Sequence, residues 1–380
     1  MPIQGHIRED YAKKTDFIYG EQTWAPLFAD GDGEEIDSTD NNARKYILES
    51  LAVMKVGPKE LKERAVFNIG TGREAKVFLE LGAKFVTHFD ISREAVKNTQ
   101  KYIKEKNIKN MESIHGDIQS AQLGSNKYDI IFLAGIYQHI QTPAIGLVHF
   151  INMLKPGGIM YMGFYRSGEW KYFIVDAIRH LLDEEDFSLV KKANTILHTF
   201  NQPIHYQNAR LLDDFFVPCK HNFHPTDVIH DIELLGGKVY HFDNDFRDYN
   251  HEGAEYFSIG GDRIYVTKEA ETDTKVKDVI GQLKTKKGRD QIFDMNYKEA
   301  VINDNIDLIK QIRRLKEEGR VSAADIALLT ISMYQFTRPF VPAQSEIFQK
   351  SIKEGRHKTL NAYLKSFIKD VIGHENTNAR

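Results

Sequence analysis

The run AVFNIGTGREA, from Ala65 to Ala75, and the run VTHFD that ends at Asp90 decide the fold of this 380-residue chain. A strand-like apolar segment breaks at Gly70 and Gly72, a helix-forming segment follows, and a carboxylate closes a second apolar run twenty residues after Gly70. This pattern predicts a nucleoside pocket. The glycines let the backbone turn tightly and approach a ligand, the helix start presents free N–H groups, and Asp90 can accept hydrogen bonds from ribose hydroxyls. Spacing alone does not select the nucleoside, because Gly70-x-Gly72-x-x-Ala75 with Asp90 equally fits a dinucleotide-binding dehydrogenase.

Outward from this stretch, AVFNI, KFVTHF, MESIHG, DIIFLAGIY and GIMYMGF read as strands with helical patterns between them. The helix PTDVIHDIELLGG and the strands KVYHF and RIYVT complete the series. Such alternation predicts an α/β fold, a doubly wound and mostly parallel seven-stranded sheet covered by helices on both faces. Residues 1–60 read as an N-terminal helical cap in which Asp40 caps a helix with Ile47, Leu51 and Met54 on one face. Tyr11, Tyr19 and Trp24 lie upstream of that helix. Residues 61–272 form the α/β domain, with an aromatic-rich insertion at about 168–223 placed where the carboxyl end of the fifth strand opens onto the ligand crevice, as a lid would be. Residues 273–380 read as an all-helical C-terminal domain. There Ile306, Ile309, Ile312 and Leu315 form one apolar stripe, Ser322 with Asp325 a cap, and Leu360, Tyr363, Leu364, Phe367, Ile368 and Val371 a second stripe.

With 41% apolar and 28% charged residues the composition is that of a globular protein able to bury a large core. No apolar run approaches the roughly eighteen residues of a membrane helix, and the polar start MPIQGHIREDYAKK does not resemble a secretory signal, so a cytoplasmic location is expected. Cys219 is the only cysteine, which excludes an intrachain disulfide. Residues 273–380 carry 20 Lys and Arg against 14 Asp and Glu. This mild excess is scattered among acids, whereas a nucleic-acid footprint is a clustered basic stripe, so nucleic acid is not the expected partner.

The order of segments after the glycine loop narrows the cofactor. SIHGDIQS places Asp117 after the third strand, KYDIIFLAGIYQHI gives a fourth strand ending in a polar-aromatic loop, and MLKPGGIMYMGFY follows. Over roughly residues 60–268 the chain resembles the class I S-adenosylmethionine-dependent methyltransferases, with LKPGG as the most distinctive short signature. The resemblance implies S-adenosyl-L-methionine as cofactor. It sets Asn68, Gly70, Thr71 and Gly72 against the methionine and ribose portion, Asp90 and Ile91 at the ribose, Asp117 and Ile118 at the adenine, and Ala134 and Gly135 along the path to the sulfonium. Two positions depart from the pattern: Asn68 stands where the family often has an acid, and Glu74 where it has a third glycine. The chemistry agrees with a cofactor lacking phosphate, since no GK[ST] element follows the glycines.

Methyl transfer from a sulfonium needs alignment, exclusion of water and, for a hydroxyl acceptor, a base near neutral pKa. His139 is the candidate base and Tyr137 its catalytic neighbour, both following the fourth strand. Tyr165, Arg166, Tyr206, Arg210, His221 and His224 are candidate contacts to the acceptor. The spacing Cys219-x-His221-x-x-His224 invites a metal, but Pro225 and the helix that follows favour a cap-and-loop role, and no metal is assigned. The expected activity is transfer to oxygen of a small polar metabolite or sugar. The alternatives are an N-methyltransferase acting on a peptide, protein or metabolite amine, and a silent cofactor-binding scaffold. The C-terminal helices are expected either to dock on the first domain or to form a homodimer.

Overall fold

A computed structural model describes residues 11–22, 34–121, 123–165, 170–197, 204–223, 225–244, 262–267, 299–335 and 356–378. In chain order these form α1 (Tyr11–Asp16) running into a π-helical turn (Phe17–Gln22), α2 (Glu34–Val53), β1 (Ala65–Ile69), α3 (Arg73–Glu80), β2 (Phe85–Asp90), α4 (Arg93–Glu105), β3 (Met111–His115), β4 (Tyr128–Ala134), α5 (Pro143–Met153) and β5 (Leu154–Phe164). There follow α6 (Trp170–Arg179), α7 (Phe187–Leu197), α8 (Ile204–Phe216), α9 (Pro225–Leu234), β6 (Lys238–Asn244), β7 (Asp262–Thr267), α10 (Glu299–Glu317), α11 (Ala323–Gln335) and α12 (Arg356–Asn378). None of the described helices is long and apolar enough to cross a membrane.

The strands make one sheet in the order β3-β2-β1-β4-β5-β7-β6, parallel except for β7, which runs antiparallel to both neighbours. Strand order reverses between β1 and β4, which makes the carboxyl ends of these two strands the switch point where a ligand crevice opens. Period-two alternation divides the core. Phe67 and Ile69 pack on one face with Leu147 and Phe150 of α5 and Val228 and Ile232 of α9. Val66 packs on the other with Ile47 and Leu51 of α2 and Val77 and Phe78 of α3. Burying each of these large side chains contributes about 1.5 to 3 kcal/mol, enough that a one-residue slip of register is disallowed.

Two boundaries differ from the sequence reading. Asp40 does not cap α2 but lies inside it, because the helix starts at Glu34, and the acidic, Gly- and Pro-free run from there is compatible with helix throughout. LKPGG lies within β5 and not before it: Leu154 pairs with Tyr128, the register then shifts, and exposed Gly157 takes a positive φ of 70° at the irregularity.

The chain divides into two compact units. The sheet unit holds Met1–Ser167, Val217–Arg247 and Gly260–Phe293; the helical unit holds Gly168–Phe216, Asp248–Ile259 and Asp294–Arg380. In the latter, Ile174, Ile178, Leu211 and Phe215 from α6 and α8 share one core with Ile312, Ile326 and Leu364 from α10 to α12. Aromatic residues of the insertion serve that core: Phe215 packs edge-on to Tyr334 at 5.2 Å and Phe187 to Phe216 at 5.6 Å. Ser322 caps α11 as its spacing predicts, its Oγ accepting from Asp325 N at 3.1 Å. Lys316 Nζ ties α10 to the α6–α7 turn, donating to Asp183 and Asp186 at 2.6 Å each and to the Leu181 carbonyl at 3.1 Å.

Candidate active site

The β1–α3 turn is built by two glycines with φ of 141° and 88°, values that L side chains rarely adopt. At Gly72 space is closed as well, since a Cβ there would stand 2.1 Å from Thr99 Oγ1 on α4. Gly72 also begins α3 in the left-handed conformation with no side-chain cap, so the first N–H groups of the helix face the turn without one. His88, a buried residue of β2, clamps the turn: its Nε2 donates to the Gly70 carbonyl at 2.6 Å, which leaves Nδ1 to accept from Ser113 Oγ at 2.8 Å. Burial lowers the His88 pKa to about 4, so the ring is neutral and holds this tautomer.

Asn68 is fully buried; its Nδ2 donates to the carbonyls of Phe132 at 3.2 Å and Ile69 at 3.4 Å, while Oδ1 has no hydrogen-bond partner among the described residues. Glu74, in the first turn of α3, is buried and paired with Arg73. Asp90, at the end of β2, accepts from Ser92 N at 2.6 Å. Burial pushes its carboxyl up to about 7 and the charge of Asp16 adds to the rise, against the opposing pull of the backbone N–H groups of Ser92, Gly70 and Ile91. Ser92 caps α4 by accepting from Ala95 N, and Ile91 gives its carbonyl to His115 Nε2. After β3, Asp117 accepts from the backbone and side-chain nitrogens of Gln119, whose Oε1 in turn accepts from Thr142 N at 2.7 Å. Ile118 beside it is buried in the core.

At the end of β4, half-buried Ala134 and exposed Gly135, with φ of 68°, lead into the 3-10 turn Tyr137–His139. Tyr137 points into the core, stacked on Phe223 at 4.7 Å, and burial raises its phenol above the ordinary range, which suits a packing role and not a base. His139 is 8% exposed and its Nδ1 donates to the Cys219 carbonyl at 3.1 Å, which leaves the Nε2 lone pair as the basic position of the neutral ring. Tyr19 and Tyr165 stand edge-on to this ring at 5.9 and 5.8 Å. His221 lies nearby, since its backbone N–H donates to the Gln138 carbonyl at 2.8 Å. Burial lowers its pKa, and its Nε2 has no partner among the described residues. The same holds for both polar atoms of the fully buried Gln138 amide.

The structure thus gathers Asn68, Gly70, Gly72 and Asp90 on one side of the switch point and His139, Tyr165 and His221 on the other. Thr71 lies in the turn between the two glycines, half-buried. Arg210 belongs to the helical unit, whereas Arg166, His224 and the side chain of Tyr206 lie outside the described residues. Among the described residues no group of three or more His, Cys, Asp and Glu could hold a metal. Several participants escaped the sequence reading. His88 and Gln138 had one available signal, a polar residue inside an otherwise apolar buried run. Tyr11 and Tyr19 had none. Tyr11 donates its hydroxyl to the His139 carbonyl at 2.5 Å across 128 residues, and Asp16 accepts from Arg93 N at 2.7 Å, so the N-terminal segment touches both sides of the crevice.

Residues 67–162, from β1 to β5, match the family described as "Methyltransferase domain". Among solved structures, the chain is similar to magnesium protoporphyrin IX methyltransferase from Synechocystis PCC 6803 with bound SAH (13% identity, 65% of this chain and 93% of that one, TM-score 0.40). It is also similar to PKMT2 from Rickettsia typhi in complex with AdoHcy (15% identity, 57% and 51%, TM-score 0.43) and to the YcgJ protein from Bacillus subtilis (13% identity, 58% and 99%, TM-score 0.38). No curated protein matches the chain. The match places a methyltransferase domain over residues 67–162, with the switch-point crevice at the carboxyl ends of its strands. The cofactor of such a domain is S-adenosyl-L-methionine, and the residues present fit it: Gly70 leaves room for close backbone approach, Asp90 offers a carboxyl to the ribose, and Asn68 Oδ1 is a buried acceptor with no partner among the described residues.

Proposed function

We propose that the enzyme methylates an oxygen of a small polar metabolite or sugar, with His139 as the general base. The observation that carries this reading is the fixed ring of His139. Its Nδ1 is committed to the Cys219 carbonyl, and its own carbonyl is held by Tyr11, so the ring is oriented and Nε2 is the basic atom. When bound, the cofactor supplies an electrophilic methyl group on sulfur. The protein supplies the rest: Gly70, Gly72 and Asp90 hold the nucleoside and methionine portions, Tyr19 and Tyr165 wall the base, and Nε2 takes the proton as the acceptor oxygen bonds to carbon. Gln138 and His221 supply buried polar atoms suited to an acceptor that both donates and accepts hydrogen bonds, as a polyol does.

The test is methyl incorporation from labelled cofactor into a panel of hydroxyl-bearing small molecules, with His139→Ala compared against the native chain. A base of this kind contributes on the order of 100-fold or more to kcat. The variant should lose that factor while keeping its affinity for S-adenosylhomocysteine. Label appearing only in amines or protein would replace this reading with N-methylation, and label in no acceptor would leave a cofactor-binding scaffold.

A further inference from the structure

The glycine turn has a carboxylate of its own. Glu74 is only 7% exposed, and both hydrogen bonds from Arg73, from Nε at 3.2 Å and Nη2 at 2.5 Å, fall on its Oε1. The other oxygen, Oε2, is the heavy atom nearest to where a Cβ on Gly70 would stand, at 3.8 Å, so it lies against the Gly70 backbone. Its charge also acts on His88, which clamps the Gly70 carbonyl. Near the end of β1, Asn68 is neutral, and its Nδ2 is spent on two carbonyls while Oδ1 has no hydrogen-bond partner among the described residues.

A buried carboxylate needs more compensation than one cation on one of its oxygens. S-adenosylmethionine brings two positive groups, the α-ammonium and the sulfonium. A carboxylate aligned on the sulfonium would compete with the acceptor for the methyl group, whereas one on the ammonium holds the cofactor at the end remote from the reaction. We propose that Glu74 Oε2 binds the α-ammonium of the cofactor and supplies the negative charge that the end of β1 lacks, with Asn68 Oδ1 as a supporting neutral acceptor. This rests on S-adenosylmethionine being the cofactor.

Calorimetric binding to the full chain tests it without any acceptor. Glu74→Gln should weaken S-adenosylhomocysteine and S-adenosylmethionine alike, by roughly 10-fold or more for a lost hydrogen bond between charged groups. It should leave 5′-methylthioadenosine, which carries the nucleoside but no amino acid, within about twofold of the native affinity. Arg73→Gln should bind S-adenosylhomocysteine no more weakly than the native chain. On the native chain the deaminated analogue of S-adenosylhomocysteine should bind about as poorly as S-adenosylhomocysteine binds to Glu74→Gln, a comparison that survives if the variant fails to fold. Equal losses for methylthioadenosine, a loss confined to the sulfonium form, a loss reproduced by Arg73→Gln, or undiminished binding of the deaminated analogue would each overturn the proposal. A native chain that binds neither S-adenosylhomocysteine nor methylthioadenosine would instead remove the cofactor assignment beneath it.

Discussion

Asp90 and His88 are two residues apart on β2, yet burial drives their protons in opposite directions. The carboxyl, ordinarily near 4, stands at about 7 in the folded chain, so between these values the native state binds the extra proton and stability falls as pH rises. The imidazole, ordinarily near 6.5, is lowered to about 4, so over that interval the unfolded state binds the extra proton and stability rises with pH. The two slopes oppose each other over most of the same window. Removing one should expose the other: Asp90→Asn is expected to gain stability relative to the native chain as pH goes from 5 to 7, by up to about 1.4 kcal/mol per pH unit. Urea midpoints across that range check it, and parallel curves for the two proteins would show that Asp90 titrates normally.

Between elements, the tightest constraint is the packing of the α3 start against α4. Gly72 is both left-handed and pressed on Thr99, so Gly72→Ala must strain the backbone and push α4 aside. A cost of about 2 kcal/mol or more in stability is expected, with loss of measurable S-adenosylhomocysteine binding. Gly70 differs, because a Cβ there meets nothing closer than 3.8 Å and only its φ demands glycine. Both glycines were legible in the sequence, since the turn they make is local. The role of Glu74 was legible only as a departure from a pattern; that one of its oxygens faces Arg73 and the other Gly70 is a matter of how α3 lies on the sheet.

Across the whole molecule, the insertion after β5 and the C-terminal helices share one hydrophobic core. Truncation at residue 273 would therefore uncover Ile174, Ile178, Leu211 and Phe215 rather than remove an independent module. The bridge that joins the segments is testable instead. Lys316 is 11% exposed and faces Asp186, which is 6% exposed, so Lys316→Met leaves an almost buried carboxylate unpaired at a cost of about 3 kcal/mol. Hydrogen bonding to Lys316, with Arg313 adding to it, also holds the Asp183 carboxyl below its ordinary range. Its share of stability is present above the unfolded value and is lost as pH falls through the lower folded value. A change in chemical-denaturation stability below about 0.5 kcal/mol would show that water, not Lys316, satisfies these carboxylates.

Sequence by itself determined the alternation of strands and helices, the glycine turn and the acid that follows it, because period-two burial and positive φ are properties of a few consecutive residues. It also carried the family pattern through β5. Only the tertiary structure decided that Tyr11 reaches the carbonyl of His139, that His88 clamps the Gly70 turn, that Tyr137 belongs to the core, and that residues 168–216 fold with the C-terminal helices. These contacts join positions far apart in the chain, and which of them form is set by how the elements pack once collapsed, which no local pattern records.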